Sequence, residues 1–220
     1  VLAGWLHIVL VGTSVLKNLA TRLGEREAGL SRVLEELALD PDARLEGVGE
    51  RDIGRLVAMV VADPRRSSAE LNALYEYLEQ GSVSEIVLLY TDTDGGELSA
   101  RILGEALKTM YPGVKVRERK IPLLGRVFEE GVLYLTDALV EEITNAHQKR
   151  LGVAVNLTGG FKAEAGYALL AAALLGAEKA YYIYEKTRTI AELPLPPVCV
   201  REDTLEVIEE IEKEPATRIA

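Results

Sequence analysis

The chain has 220 residues, of which 48% are hydrophobic and 27% charged. This length is sufficient for one domain with a complete core, and the composition is typical of globular rather than disordered chains. The net charge of −10 argues against a protein that coats long DNA or RNA through a broad basic face. It is compatible with a small anion held in a local pocket by backbone N–H groups and one or two cations.

Several features predict a cytoplasmic protein without a membrane segment. Cys199 is the only cysteine, so no intramolecular disulfide can form, and a reducing cytosol is the simplest location. The N-terminal apolar run is short and contains His7 and Gly12, unlike a signal peptide. The most apolar helix, residues 165–177, is shorter than the roughly 20 residues that cross a bilayer. The excess of Glu, Arg and Lys over Gln and Asn leans towards a thermophilic source.

Hydrophobic periodicity and turn residues predict strands that alternate with helices. In chain order we expect a strand at 6–11, a helix at 15–39, a helix at 67–79, a strand at 85–90, a helix at 97–111, a strand at 114–121, a helix at 126–150, a strand at 153–157, a helix at 161–175, strands at 179–184 and 189–193, and a short acidic helix at 204–214. Residues 43–66 fit a helix, although 57–61 could form a strand. The long helix at 126–150 contains Gly131, where it could break.

This alternation is typical of an α/β fold, with a Rossmann-like, mainly parallel sheet covered by helices on both faces. Residues 114–121 alternate apolar and charged side chains, which favours a strand near the sheet edge. Residues 189–193 are expected to pair antiparallel with 179–184. We assign residues 1–197 to one domain and 198–220 to a short acidic helical appendage that is too short to fold alone.

Three predicted strands end in small or polar turns that lead into helices. Open parallel sheets bind ligands beyond the carboxyl ends of their strands, where the winding reverses. The turns are Gly12-Thr13-Ser14, Thr91-Asp92-Thr93-Asp94 and Thr158-Gly159-Gly160. We expect all three at one edge of the sheet, with the first turn beside a turn from the later half of the chain. Free backbone N–H groups after the third turn, together with Lys162, are suited to holding a phosphate.

Each turn also has a structural interpretation. Ser14 and Thr13 could form an ordinary helix cap, and paired glycines could serve turn geometry alone. Asp92 and Asp94 could bind a metal, but solvated turn aspartates are more common, and no histidine lies nearby in sequence. We therefore expect no metal site. Phosphate-loop, dinucleotide-binding and serine-hydrolase motifs are absent.

Three stretches together resemble the CRISPR-associated Rossmann-fold (CARF) domain of type III CRISPR ancillary proteins. They are Val-Gly-Thr-Ser-Val-Leu-Lys-Asn at 11–18, Ser-Ala-Glu-Leu-Asn-Ala-Leu at 68–74, and Asn-Leu-Thr-Gly-Gly-Phe-Lys-Ala at 156–163. The similarity runs from about residue 6 to residue 197, and the third stretch is the most specific. It implies a homodimer that binds a cyclic oligoadenylate, often the four-nucleotide ring, across its two-fold axis and needs no cofactor.

The resemblance assigns catalytic roles to Lys162 and Ser14. It assigns ligand contacts to Gly12, Thr13, Asn18, Asp92, Thr93, Asn156, Thr158, Gly159, Gly160 and Phe161. A CARF domain nearly alone is similar to the ring nucleases, which cleave the messenger by attack of a ribose 2′-hydroxyl and switch off the response. Without a histidine at the site we expect no strong general base and a slow, metal-independent reaction. The alternative is a non-catalytic sensor that acts through a partner or a missing effector domain.

Overall fold

One mixed sheet organises the part of the chain that the computed structural model describes, which is residues 3–160, 162–184, 189–196, 198–200, 202 and 204–205. In chain order the elements are β1 (Trp5–Val11), α1 (Ser14–Leu23), α2 (Ala28–Leu39), α3 (Glu50–Ala62), α4 (Pro64–Ser67), α5 (Ala69–Glu79), β2 (Val83–Thr91), α6 (Asp94–Met110), β3 (Lys115–Ile121), α7 (Phe128–Gln148), β4 (Gly152–Asn156), α8 (Lys162–Leu174), β5 (Lys179–Tyr184) and β6 (Thr189–Leu193).

The strand order across the sheet is β3-β2-β1-β4-β5-β6. All neighbouring strands are parallel except β5 and β6, which are antiparallel. From β1 the chain first winds outwards through β2 to β3, and it then returns to the other side of β1 to form β4. The winding therefore reverses between β1 and β4, which is where open α/β sheets bind their ligands. The predicted central first strand, the edge position of β3 and the antiparallel β6 are all confirmed.

Strand β1 is buried on both faces, as its continuous apolar run predicts. Val9 and Val11 pack into a core formed with side chains of α1, α2, α3, α5 and α6. Ile8 and Leu10 point to the opposite face and pack against side chains of α7 and α8. Helices thus cover both faces of the sheet, and the α/β fold class is confirmed.

Three local predictions are refined by the structure. The ambiguous segment forms helices α3 and α4, with Ile53, Leu56 and Val60 buried, so the strand alternative for 57–61 is wrong. The single helix expected over 15–39 is divided by a short 3-10 turn at Gly24–Glu27. Helix α6 starts three residues early because the Thr93 hydroxyl accepts a hydrogen bond from the Gly96 N–H.

Helix α7 continues through Gly131 without a break. A Cβ atom at Gly131 would lie 2.7 Å from Leu124 Cα, so this glycine allows close packing and does not end the helix. In the described residues no helix has both the length and the hydropathy to cross a membrane. Of the predicted acidic helix at 204–214, Thr204 and Leu205 are helical and the remainder lies outside the described residues.

Candidate functional site

The glycine turns after β1 and β4 touch each other. A Cβ atom on Gly12 would lie 3.0 Å from the Gly160 nitrogen. A Cβ atom on Gly159 would lie 2.3 Å from the Leu10 carbonyl oxygen and 2.7 Å from the Gly12 nitrogen. Because these neighbours are backbone atoms, only glycine fits at Gly159 without displacement of a strand end. The prediction that the first turn neighbours a turn from the later half is confirmed.

The carboxylate of Glu70 lies between the two turns and is 1% exposed. Its Oε1 accepts a hydrogen bond from the Gly12 N–H at 2.9 Å. Its Oε2 accepts from the hydroxyls of Ser14 and Ser68, both at 2.6 Å. The N–H of Gly12, a residue predicted to contact the ligand, therefore donates its hydrogen bond within the protein. Glu70 is the principal residue that sequence reasoning did not assign to the site.

Two neighbours hold Glu70 in this position. Ser68 caps α5, since its hydroxyl accepts from the Leu71 N–H at 3.1 Å, and this places Glu70 in the first turn of the helix. Asn156 donates from Nδ2 to the Glu70 carbonyl oxygen at 3.1 Å and accepts the Thr158 N–H at 3.0 Å. Asn156 is fully buried. The structure thus places this predicted ligand contact underneath the turn, where it joins α5 to the end of β4.

Ser14 is the first residue of α1 and is half-buried. Its hydroxyl donates to Glu70 and accepts from the Ala69 N–H at 3.2 Å. The hydroxyl of Thr13, the N-cap residue, donates to the Ala38 carbonyl oxygen at 2.9 Å and forms no hydrogen bond to the α1 backbone. Thr13 is therefore not an ordinary side-chain cap of this helix. The positive end of the α1 dipole faces the carboxyl ends of the strands.

A pocket of about 210 Å³ opens beside the first turn, and we call it the apolar pocket. It is lined by Val11, Gly12, Thr13, Leu37, Ala38, Leu39, Pro41, Thr91, Thr93, Gly125 and Gly160. The predicted site residues Gly12, Thr13, Thr93 and Gly160 thus meet in one cavity. Its walls are mostly aliphatic with a few backbone and hydroxyl groups, which suits one planar heteroaromatic ring and is too small for a whole cyclic tetranucleotide.

The turn after β2 anchors loops around the apolar pocket. Thr93 caps α6 and shares a hydrogen bond of 2.9 Å with the Thr91 hydroxyl. Asp94 accepts from the Leu45 N–H at 2.8 Å, and Asp92 accepts from the Leu123 N–H at 3.3 Å. Both aspartates therefore bind backbone groups. Within the described ranges, no group of three or more His, Cys, Asp or Glu is placed to hold a metal ion.

A second cavity, of about 400 Å³, lies on the other side of Ser14, and we call it the basic cleft. It is lined by Asn18, Arg65, Arg66, Ser68, Ala69, Asn72 and Ile183. Asn18 donates to the Ser67 carbonyl oxygen at 3.3 Å, and Arg65 Nε donates to Asn72 Oδ1 at 3.1 Å. Both arginines are exposed. Sequence reasoning included Asn18 but missed the arginines, whose guanidinium groups can form charge-assisted hydrogen bonds to phosphate oxygens.

Thr158 connects the glycine turn to the basic cleft. Its hydroxyl accepts from the Ile183 N–H at 3.2 Å, which fixes the end of β5 against the turn. Gly160 is exposed with a φ of +82°, and Lys162 is exposed as the first residue of α8. Phe161, a predicted ligand contact, lies outside the described residues. Glu164, one turn into α8, is 4% exposed, and its carboxylate lies beneath Gly160.

Large apolar side chains stay exposed on the outer surface of α7 and α8. The rings of Phe128 and Tyr167 pack edge to face with centroids 6.2 Å apart. Leu170 and Leu174 follow Tyr167 on α8 at helical spacing and are also exposed. We call these four residues the α7–α8 apolar surface. Phe128 also lines a small cavity with Ala163, so this surface begins beside Lys162.

Comparison with known proteins adds two findings. The model of a family described as "CRISPR-associated protein (Cas_APE2256)" matches residues 65–196, which is more than half of the chain and includes Arg65, Glu70 and Lys162. A solved structure of Can2 from Sulfobacillus thermosulfidooxidans in complex with cyclic tetra-adenylate is similar at 12% identity and a TM-score of 0.39. The similarity covers 87% of this chain but 37% of that one. A similarity of this degree does not extend the ligand of Can2 to the present chain.

Proposed function

The chain belongs to the Cas_APE2256 family of CRISPR-associated proteins, and from this membership and the geometry of the strand-end turns we propose that it binds a cyclic oligoadenylate and cleaves it. The ring is cyclic tetra-adenylate, and the product is linear di-adenylate with a 2′,3′-cyclic phosphate. Cleavage would remove the messenger and switch off type III CRISPR signalling. One observation carries the proposal: the glycine turns after β1 and β4 touch each other at the point where the sheet winding reverses. Ser14 and Lys162 follow Gly12 and Gly160 by two residues each.

Each of the two cavities is suited to a different part of a nucleotide. An adenine base is planar and largely apolar at its faces, so it fits the apolar pocket, where backbone groups and the Thr93 hydroxyl can meet its edge nitrogens. The exposed cations Arg65 and Arg66 line the basic cleft, Lys162 begins α8 after the glycine turn, and all three suit the phosphates. A net charge of −10 requires such a local arrangement, because the remainder of the molecule repels a polyanion.

A single protomer cannot surround a ring of four nucleotides with an apolar pocket of this size. A cyclic tetranucleotide can share a two-fold axis with a symmetric dimer, so each protomer would contact half of the ring. The α7–α8 apolar surface begins beside Lys162 and exposes two aromatic and two aliphatic side chains. We assign the dimer contact to this surface, because burial of such side chains drives association and would bring two Lys162 residues together across the axis.

The reaction that fits these residues is an in-line attack by a ribose 2′-hydroxyl on the adjacent phosphate. The nucleophile belongs to the substrate, so the protein needs to hold the ribose and the phosphate in line and to stabilise the developing charge. Lys162 is suited to the phosphoryl oxygens, because it is a cation at the positive end of α8. Ser14 is suited to the ribose, beside the apolar pocket that holds its base.

The test is cleavage of radiolabelled cyclic tetra-adenylate by the purified protein and by Lys162→Ala and Ser14→Ala variants. We expect each variant to lose about 100-fold or more in the single-turnover rate, as for other residues that stabilise charge or position a reacting group. Lys149→Ala is the matched control. Lys149 pairs with Glu85 at the amino-terminal ends of the strands, and the proposed site lies at their carboxyl ends. This variant therefore removes the same charge at a distance from the site. A rate that survives both site substitutions would contradict the assignment.

A further inference from the structure

Within the described part of the chain, the proton of the Ser14 hydroxyl has one acceptor, the Glu70 carboxylate. A carboxylate only accepts hydrogen bonds, so at 2.6 Å the Ser14 O–H donates to Oε2. Ser68 donates to the same oxygen at 2.6 Å, and the Gly12 N–H donates to Oε1. Three donors from two segments, the turn after β1 and the start of α5, therefore hold the carboxylate and fix its orientation.

The remaining capacity of the Ser14 oxygen is that of an acceptor. A hydroxyl carries one proton and two lone pairs. One lone pair accepts from the Ala69 N–H at 3.2 Å, and the proton is directed to Glu70. The half-buried Ser14 oxygen can therefore offer one lone pair to a ligand. A ribose hydroxyl can donate to it, whereas a phosphate oxygen, which also only accepts, cannot.

On the basis of the function proposed above, we propose that Glu70 is a positioning residue that makes Ser14 the acceptor of the ribose 2′-hydroxyl proton and that takes up the Ser14 proton in turn. As the 2′-oxygen bonds to phosphorus, its proton passes to Ser14 Oγ and the Ser14 proton passes to Glu70 Oε2. The bond between phosphorus and the 5′-oxygen breaks, and the leaving oxygen takes a proton from water. Glu70 then returns its proton through Ser14 to solvent.

The burial of Glu70 supports this route. With 1% of its surface exposed, Glu70 has no path to a substrate except through Ser14 or Ser68. Ser68 is itself 1% exposed and accepts from the Leu71 N–H, whereas Ser14 lies at the edge of the basic cleft beside Ala69. A proton can therefore pass from the cleft to Glu70 through the Ser14 hydroxyl alone, and we call this path the relay. Glu70 thereby serves as the proton acceptor at a site that we expected to have no strong general base.

The test is Glu70→Gln, which keeps the size of the side chain and removes its ability to take up a proton. We expect the affinity for cyclic tetra-adenylate to stay close to that of the wild-type protein and the single-turnover rate to fall about 100-fold. Adding Glu70→Gln to Ser14→Ala should cause little further loss, because both remove one relay.

Glu142→Gln is the matched control, because Glu142 is also a buried glutamate, at 4% exposure, but it binds Arg117 and Arg119 between α7 and β3. This variant should cleave at the wild-type rate. If Glu70→Gln lowers affinity and thermal stability together and keeps the wild-type single-turnover rate at a saturating ring concentration, Glu70 is purely structural and the relay is wrong, while the ring nuclease function stands. If the wild-type protein binds the ring and leaves it intact, the proposed cleavage itself fails.

Discussion

At the residue scale, several buried polar groups support the site without touching its ligand. Asn156 and Glu70 both lie in the sequence stretches that resemble a CARF domain, but only Asn156 is predicted as a ligand contact, and its observed role is structural. Asn156 bonds to the backbone of Glu70 and Thr158, and Glu70 bonds to Gly12 and Ser14. A single sequence gives no sign of the hydrogen bonds that Glu70 makes with Gly12, Ser14 and Asn156, because these partners are separated from it by more than fifty residues and meet only through the sheet topology.

His7 is another buried polar residue, and it makes the fold sensitive to acid. Its Nδ1 lies 2.7 Å from the Tyr181 hydroxyl, and it is 1% exposed. Burial, and secondarily the charge of Lys179, lower the pKa of His7 from 6.5 to about 3. Between these values the unfolded chain binds a proton that the folded protein does not bind. The free energy of unfolding therefore falls as the pH falls through this range, by up to about 1.4 kcal/mol per pH unit.

The prediction for His7 is tested by urea unfolding at a series of pH values between about 7 and about 5, above the range in which most carboxylates titrate. His7→Gln cannot be protonated, so its free energy of unfolding should change less with pH than that of the wild-type protein, even if it is lower throughout. Equal pH dependence in the two proteins would show that His7 does not carry this effect.

At the scale of elements, the contact between the turns after β1 and β4 could be predicted from the sequence. The buried polar side chains that support these turns could not. The apolar run of β1 indicates a central strand, and a central first strand brings its turn next to a later one. The sequence therefore places Gly12, Ser14, Gly159 and Lys162 at one edge. The arginines of the basic cleft were missed because residues 43–66 carry no clear period, so the position of α4 could not be derived.

The close contact at Gly159 leads to a prediction about stability and binding. In Gly159→Ala the new Cβ atom would lie 2.3 Å from the Leu10 carbonyl oxygen and 2.4 Å from Glu70 Oε1. One turn must move, and we expect a loss of about 1–3 kcal/mol in the free energy of unfolding, as for other overpacked sites. Because Glu70 moves with the turn, cyclic tetra-adenylate should also bind more weakly. Both effects are measured by denaturant unfolding and by calorimetry.

Gly166→Ala is the control for that substitution. Gly166 lies in the middle of α8, and a Cβ atom there would meet no other atom within 4 Å. Alanine should stabilise the helix by up to about 1 kcal/mol and leave ligand binding unchanged. If Gly159→Ala behaves like Gly166→Ala, the two turns are not in the close contact described here.

At the scale of the whole molecule, the proposed site is complete only in a dimer. We expect the protein to have twice the 24.0 kDa mass of one chain in light scattering. Leu170→Glu places a charge in the α7–α8 apolar surface, so this variant should be a monomer and should cleave the ring much more slowly. Ala62→Glu adds the same charge on α3, on the other side of the sheet, and should remain a dimer. A monomeric wild-type protein with full cleavage activity would contradict the two-protomer site.

The most direct measurement is mass spectrometry of the products after cyclic tetra-adenylate has been incubated with the wild-type protein in EDTA. We expect linear di-adenylate that ends in a 2′,3′-cyclic phosphate, because the nucleophile is the ribose hydroxyl of the ring itself and no metal-activated water is needed. Tight binding with an intact ring would contradict the cleavage claim and would indicate a sensor of the messenger.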